Sequence, residues 1–217
     1  MVQSRSFGWN LIRWILAAVS IYAVFVQANH LIARGGFELG PFLSFFTIQA
    51  NLYAVAVLVI EATGGLGISE SRRGAFRGAA VLYLGITGAV YAVLLSRLPM
   101  VKEIVHPFAD GVHHLLMPLW MLFDWVAMPP ASRPTYRRSL WWLAYPLAFL
   151  FFSLLRGAIS GWYPYPFLNP SQPGGWLAVG IVSGILLILS CGMIWVILKL
   201  VPKGRPCRYN SIRNLSV

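Results

Sequence analysis

Charge is scarce in this chain: only 11% of its 217 residues are Asp, Glu, Lys or Arg, and just six of those are acidic. A soluble domain of this size needs far more charge to cover its surface, so the composition excludes one. Cysteine is nearly absent. Cys191 and Cys207 stand alone, which excludes a disulfide framework. No long repeat, low-complexity tract or linker breaks the sequence, so a single domain is expected. The first apolar segment lacks a convincing small-x-small cleavage site and reads as a retained helix rather than a signal peptide.

What remains is hydrophobic: 58% of residues, with a mean hydropathy of +0.70. Crossing the hydrocarbon core as a helix takes about 20 apolar residues. Six stretches qualify, roughly 9–29, 42–62, 79–96, 111–128, 140–158 and 176–200. Together with short connectors they occupy nearly the whole chain. The expected fold class is therefore all-α, a polytopic six-transmembrane-helix bundle forming one integral membrane domain over 1–217. Any site has to be built within that bundle.

The net charge of +11 would suit nucleic acid, but its placement argues for a membrane. With the N-terminus inside, the cytoplasmic side holds Arg5, Arg72, Arg73, Arg77, Arg133, Arg137, Arg138, Lys199, Lys203, Arg205, Arg208 and Arg213. The opposite side keeps Arg34, Arg97, Lys102 and Arg156, while Arg13 sits in the first span, where it is expected to snorkel. That bias predicts both termini in the cytoplasm, with membrane lipids as partners and no nucleic acid. Cys207, among basic residues near a span, would permit acylation, and the Asn214 sequon is discounted as cytoplasmic.

Two polar marks interrupt the apolar segments at the same end of the bundle. On the second span, headed by Pro41, Ser44, Thr47 and Asn51 are spaced three and four apart and share a face. A membrane Thr usually just bonds the carbonyl one turn back, but Asn51 needs a partner from another helix. On the fourth span, Asp110 precedes His113 by three residues and His114 by four, so it can reach either imidazole. A carboxylate on one ring nitrogen fixes the tautomer and leaves the other nitrogen as a base. The plainer alternative is histidines that only cap a wet helix start. At 1.5 Å per residue, Thr47 lies roughly 7 Å and His113 roughly 4 Å into their spans.

Further residues complete the layer. Arg156, at the outer end of the fifth span beyond a kink at Pro146, could hold an anionic headgroup or carboxylate. The Gly161-Trp162-Tyr163-Pro164-Tyr165-Pro166-Phe167-Leu168-Asn169-Pro170 segment is either an interfacial aromatic belt or a lid, and it places Tyr163 and Tyr165 near substrate. Asp124 lies about 16 Å deeper on the His113 face and is expected to pair with a basic residue of the neighbouring loop.

Phe-Thr-Ile-Gln-Ala-Asn-Leu around Thr47, the His-His stretch through Pro118 to Asp124-Trp125, and Gly-Trp-Tyr-Pro-Tyr-Pro-Phe-Leu from Gly161 carry a resemblance. They resemble the bacterial six-span relatives of the androgen-induced protein family, which includes the androgen-dependent TFPI-regulating protein. Animal members are membrane threonine hydrolases of fatty acid esters of hydroxy fatty acids. The resemblance implies Thr47 as nucleophile, followed by Asn51, and His113 as base with Gly111 before it. It also implies a bacterial inner membrane location. His114 has no counterpart in the family pattern, and Asp110 stands where the family has a histidine.

The expected function is thus lipid-ester hydrolysis without a cofactor. Thr47 attacks, His113 moves the proton, Asp110 orients the ring, and Asn51 or Ser44 donates to the oxyanion. His114 is the alternative base. A second reading is a lipid-binding protein or small transporter that uses the same polar cluster without chemistry, although no inverted repeat is visible. A third is a metal-dependent hydrolase with His106, Asp110, His113 and His114 as ligands.

Overall fold

The computed structural model describes residues 2–130 and 133–201. The side chains of Arg5, Lys102, Lys203, Arg205, Arg208 and Arg213, with Cys207 and the Asn214 sequon, lie outside what is described. Among the described residues every regular element is helical. In chain order these are α1 (Val2–Ala33), the short α2 (Leu39–Leu43), α3 (Phe46–Ala62), and α4 (Glu70–Val90) prolonged by a π-helical turn over Tyr91–Leu95. A short α5 (Pro99–Ile104) leads to α6, residues 107–127, which is α-helical except for a π-helical turn at Val112–Leu116. Then follow α7 (Tyr136–Ser160), with a 3-10 turn at Leu140–Leu143, and α8 (Gly175–Lys199).

Among the described residues four helices are long and apolar enough to cross a membrane: α1 from Phe7, α4 with its π extension, α7 and α8. The other two expected spans correspond to α3, which is apolar but only 17 residues long, and to α6. Those two carry Thr47, Gln49 and Asn51, and Asp110, His113, His114 and Asp124. In α6 the two histidines and two aspartates lower the hydropathy, whereas α3 stays apolar and falls short in length. Both pack centrally: α3 lies between α1 and α4, and α6 lies against α1 and α4, with α8 packed on α4 and tied to α6 by the Trp125 Nε1–Ile197 O bond at 2.9 Å.

Local chemistry moves several expected boundaries. The second span does not run from Pro41. The Ser44 hydroxyl donates to the Gly40 carbonyl at 2.7 Å, Phe45 is extended, and α3 starts afresh at Phe46. Tyr145 O–H donates to Gln49 Oε1, while Gln49 Nε2 donates to Leu43 O at 2.7 Å, which fastens this break to α7. In α7 the 3-10 turn falls one turn before Pro146. Proline has no N–H to give the carbonyl of Trp142, so the helix tightens there.

The end of the bundle opposite Thr47 is held by charge. Asp124 is 1% exposed and accepts from Trp9 Nε1 at 2.6 Å, from Arg13 Nη2 at 2.8 Å and from Arg77 Nη2 at 2.7 Å. Arg77 Nη2 also donates to the Asp124 carbonyl at 2.8 Å. Two expectations change here. Arg13 is buried against Asp124 instead of snorkelling, and Arg77 belongs to the interior of α4 rather than to a solvated loop. The early start of α4, at Glu70 where an apolar span was expected only from 79, is what carries Arg77 inward.

Candidate functional site

The site forms where α3, α4 and α6 meet the 160–174 segment. Because Phe45 is extended, Thr47 is the second residue of α3, in the turn whose backbone N–H groups have no intrahelical acceptor. Its N–H donates instead to the Tyr165 hydroxyl at 3.4 Å. The Thr47 hydroxyl lies 3.3 Å from His114 Nε2, and His114 Nδ1 lies 2.7 Å from Asp110 Oδ1. An ionised Asp110 can only accept, so the contact assigns the proton to Nδ1 and turns the Nε2 lone pair toward Thr47. A hydroxyl, an imidazole and a carboxylate therefore stand in hydrogen-bonded sequence.

Tyr91 braces this row. Its ring stacks on His114 with centroids 3.8 Å apart and planes 9° from parallel, and its O–H donates to Asp110 Oδ2 at 2.6 Å. The approach depends on Gly88, one turn earlier. A Cβ there would sit 3.2 Å from the His114 carbonyl oxygen, a tight contact that α4 and α6 would have to ease apart to accept.

His113 is aimed elsewhere. It is 2% exposed, and its Nε2 meets the Ser20 carbonyl of α1 at 3.4 Å. The expectation that His113 faces Thr47 is thus replaced by His114, and the π turn supplies the reason. Within Val112–Leu116 the N–H of Met117 bonds back five residues to Val112 O, which alters the direction of each side chain relative to a regular helix. By the same offset the next acceptor is His113 O, but Pro118 has no N–H to give it. Asn51 Nδ2 fills that place at 3.4 Å and also donates to Thr47 O at 2.9 Å. Asn51 therefore ties the nucleophile's helix to the base's helix through backbone carbonyls, and its amide N–H is not turned to the Thr47 hydroxyl.

Ser44 is likewise committed, donating to Gly40 O and accepting from Arg156 Nη1. Arg156 stacks over the Trp162 ring at 4.5 Å. Tyr163 packs onto α7 rather than toward Thr47: a Cβ on Gly157 would lie 2.0 Å from its ring. Tyr165 does reach the site, buried and stacked on Phe167 at 5.2 Å. Burial pushes its phenol up from the ordinary range, so the hydroxyl keeps its proton as a donor.

Thr47 and Tyr165 stand at the edge of an apolar cavity bounded by α3, α4, α7 and α8. Its lining on α4 runs from Ile86 to Leu95, roughly 14 Å of helix. Pro146 and Leu150 close it from α7, and Leu186 and Ser190 from α8. A second groove between α4 and α8 shares Ile86, Val90, Leu186 and Ser190 with it, and opens past the exposed Val93 and Ile185 toward the bundle's outer surface.

The residues of the metal reading are dispersed. His106 Nδ1 caps α6 by accepting from Phe108 N at 3.2 Å, and its ring faces His30 with centroids 5.3 Å apart. His113 points to α1, and only Asp110 and His114 touch. Among the described residues no group of three or more His, Cys, Asp or Glu side chains is arranged to hold a metal ion.

Comparison with protein-family models, with curated proteins and with solved structures yields no match. The fold and the site define the class by themselves: an all-helical protein with membrane-length apolar helices and a hydroxyl–imidazole–carboxylate row opening on an apolar cavity.

Proposed function

We propose that this chain is a six-span integral membrane lipid-ester hydrolase with both termini in the cytoplasm, using Thr47 as nucleophile and His114 as general base. The observation that carries the reading is the Thr47–His114–Asp110 row at 3.3 Å and 2.7 Å, set at the edge of an apolar cavity. A structural Thr would bond its own helix, and a cavity without chemistry would not need an oriented imidazole behind the threonine that lines it. The sequence resemblance to threonine hydrolases of fatty acid esters of hydroxy fatty acids points to the same nucleophile, and those esters are the proposed substrate class.

Thr47 Oγ attacks the ester carbonyl carbon while His114 Nε2 takes the hydroxyl proton. The carbonyl oxygen becomes an oxyanion, for which the Tyr165 O–H, held in place by the Thr47 N–H, is the donor set before the reaction begins. The C–O bond to the alcohol then breaks, and the proton on His114 passes to the departing oxygen. Water attacks the acyl-threonine with His114 again as base, and the fatty acid is released. Asp110 stabilises the imidazolium without taking its proton. Tyr91 holds the ring and the carboxylate in register. Arg156 keeps further guanidinium donors for an anionic group next to the ester.

A fluorophosphonate probe on the membrane-embedded protein tests the reading. Wild type and Thr47→Ser should label and Thr47→Ala should not. Equal labelling of wild type and Thr47→Ala would remove Thr47 as the nucleophile.

A further inference from the structure

Trp176 and Trp195 are the two exposed tryptophans of α8, 59% and 56% accessible, and they are nineteen residues apart. At 1.5 Å per residue they stand roughly 28 Å apart along the axis, close to the thickness of a bilayer's hydrocarbon core. Tryptophan favours the interface between hydrocarbon and headgroups, so the pair marks both edges of the apolar slab on this helix. Lys199, one turn beyond Trp195, is then at the depth of lipid phosphates, on the side away from Thr47.

At that depth the start of α7 and the end of α8 enclose a cleft of about 360 Å³, lined by Arg133, Thr135, Tyr136, Trp195 and Lys199. Two contacts give it shape. Tyr136 O–H donates to the Cys191 carbonyl at 3.3 Å, holding the start of α7 on α8. The Lys199 ammonium lies 5.1 Å from the centroid of the Trp195 ring, which settles it over the aromatic face. Neither Arg133 nor Lys199 forms an ion pair among the described residues, whereas Arg13, Arg73 and Arg77 all do. Among the described residues the lining of the cleft has two cations and no carboxylate. Deeper in the apolar slab, Trp141, five residues past Tyr136 on α7, and Ile188, two turns before Trp195 on the same face of α8, leave apolar surface exposed, 79% and 72% accessible.

We infer that this cleft binds the phosphodiester headgroup of one anionic phospholipid. Arg133 offers planar paired donors to two phosphate oxygens, and Lys199 adds a point charge. The Thr135 hydroxyl is a further donor, and the acyl chains run down past Trp141 and Ile188. The site is independent of the hydrolase chemistry and lies at the other end of the bundle. An exposed cation pair alone would hold any anion weakly. What selects a lipid is the combination of phosphate-depth cations with an apolar wall below them.

The full chain in a neutral detergent, titrated with phosphatidylglycerol or phosphatidylcholine and read by native mass spectrometry, tests the inference. Wild type should retain one phosphatidylglycerol about tenfold more tightly than phosphatidylcholine. Arg133→Gln/Lys199→Gln should lose that preference, while Arg137→Gln/Arg138→Gln, which removes the same charge nearby, should keep it. Excess inorganic phosphate should not displace the lipid. Equal retention of the two lipids by wild type would overturn the proposal, as would a preference that survives in the Arg133/Lys199 variant or falls equally in both variants. Displacement by millimolar inorganic phosphate would identify a free-phosphate site instead of a lipid site.

Discussion

The Tyr91 ring lies on the His114 imidazole at 3.8 Å, and its hydroxyl donates to Asp110, the carboxylate that also holds His114. One side chain thus constrains both the base and its orienting group. Tyr91→Phe keeps the stack and loses the hydrogen bond. A bond to a charged group contributes about 1.5–3 kcal/mol, so ester turnover should fall on the order of tenfold with KM little changed. Tyr91→Ala should fall further. Equal rates in wild type and Tyr91→Phe would show that the phenol does not act through Asp110.

The two histidines should separate cleanly. His114→Ala should cut ester hydrolysis by a hundredfold or more, the usual order for loss of a general base, with the thermal midpoint little changed. His113→Ala, which loses the bond to the Ser20 carbonyl, should lower the thermal midpoint and keep most of the turnover. The reverse pattern, with activity lost only at His113, would reassign the base.

Chain-length preference should follow the cavity wall. Leu150→Trp places bulk in the lining contributed by α7, below Thr47. Turnover of long-chain esters should drop while short-chain esters persist, read as kcat/KM across a series of acyl lengths. A uniform change over the series would mean that the acyl chain does not occupy this cavity.

Asp124 makes a stability prediction. It stands between Arg13 and Arg77, and Asp124→Asn leaves two buried guanidinium groups without a counter-charge. Removing one member of a buried pair typically costs 3–5 kcal/mol. The variant should unfold at clearly lower temperature in detergent, and where folded it should still label at Thr47, because the cluster is remote from the site. Unchanged thermal stability would mean that water reaches the cluster.

The fold class could be read from the sequence because apolar runs of membrane length leave few alternatives, and α1, α4, α7 and α8 carry that signal. Thr47, Asp110 and the adjacent histidines were equally visible, since each is a polar residue where hydrocarbon-facing residues prevail. The choice between His113 and His114 was not. It turns on a π turn, and five-residue hydrogen bonding leaves no mark that side-chain periodicity reveals. Tyr91 was hidden for another reason. It comes to Asp110 only because α4 closes on α6 at Gly88, and small residues in a span read simply as packing. Ser44 was misjudged as an oxyanion donor because its hydroxyl goes to the break that starts α3. Arg77 read as loop charge because basic residues near a span usually are.

A π turn contains one residue more than the α turn it replaces, and α6 has such a turn between its two polar ends. Deleting one residue from Val112–Leu116 would let the helix close regularly, but it would rotate Asp110 by about 100° relative to Asp124. The helix could then satisfy the site or the arginine cluster, not both. Its outward residues Leu115, Leu119 and Phe123 are exposed and should accept almost any apolar replacement. For this helix, a change of residue count is therefore far more disruptive than a change of side chain on the outer face.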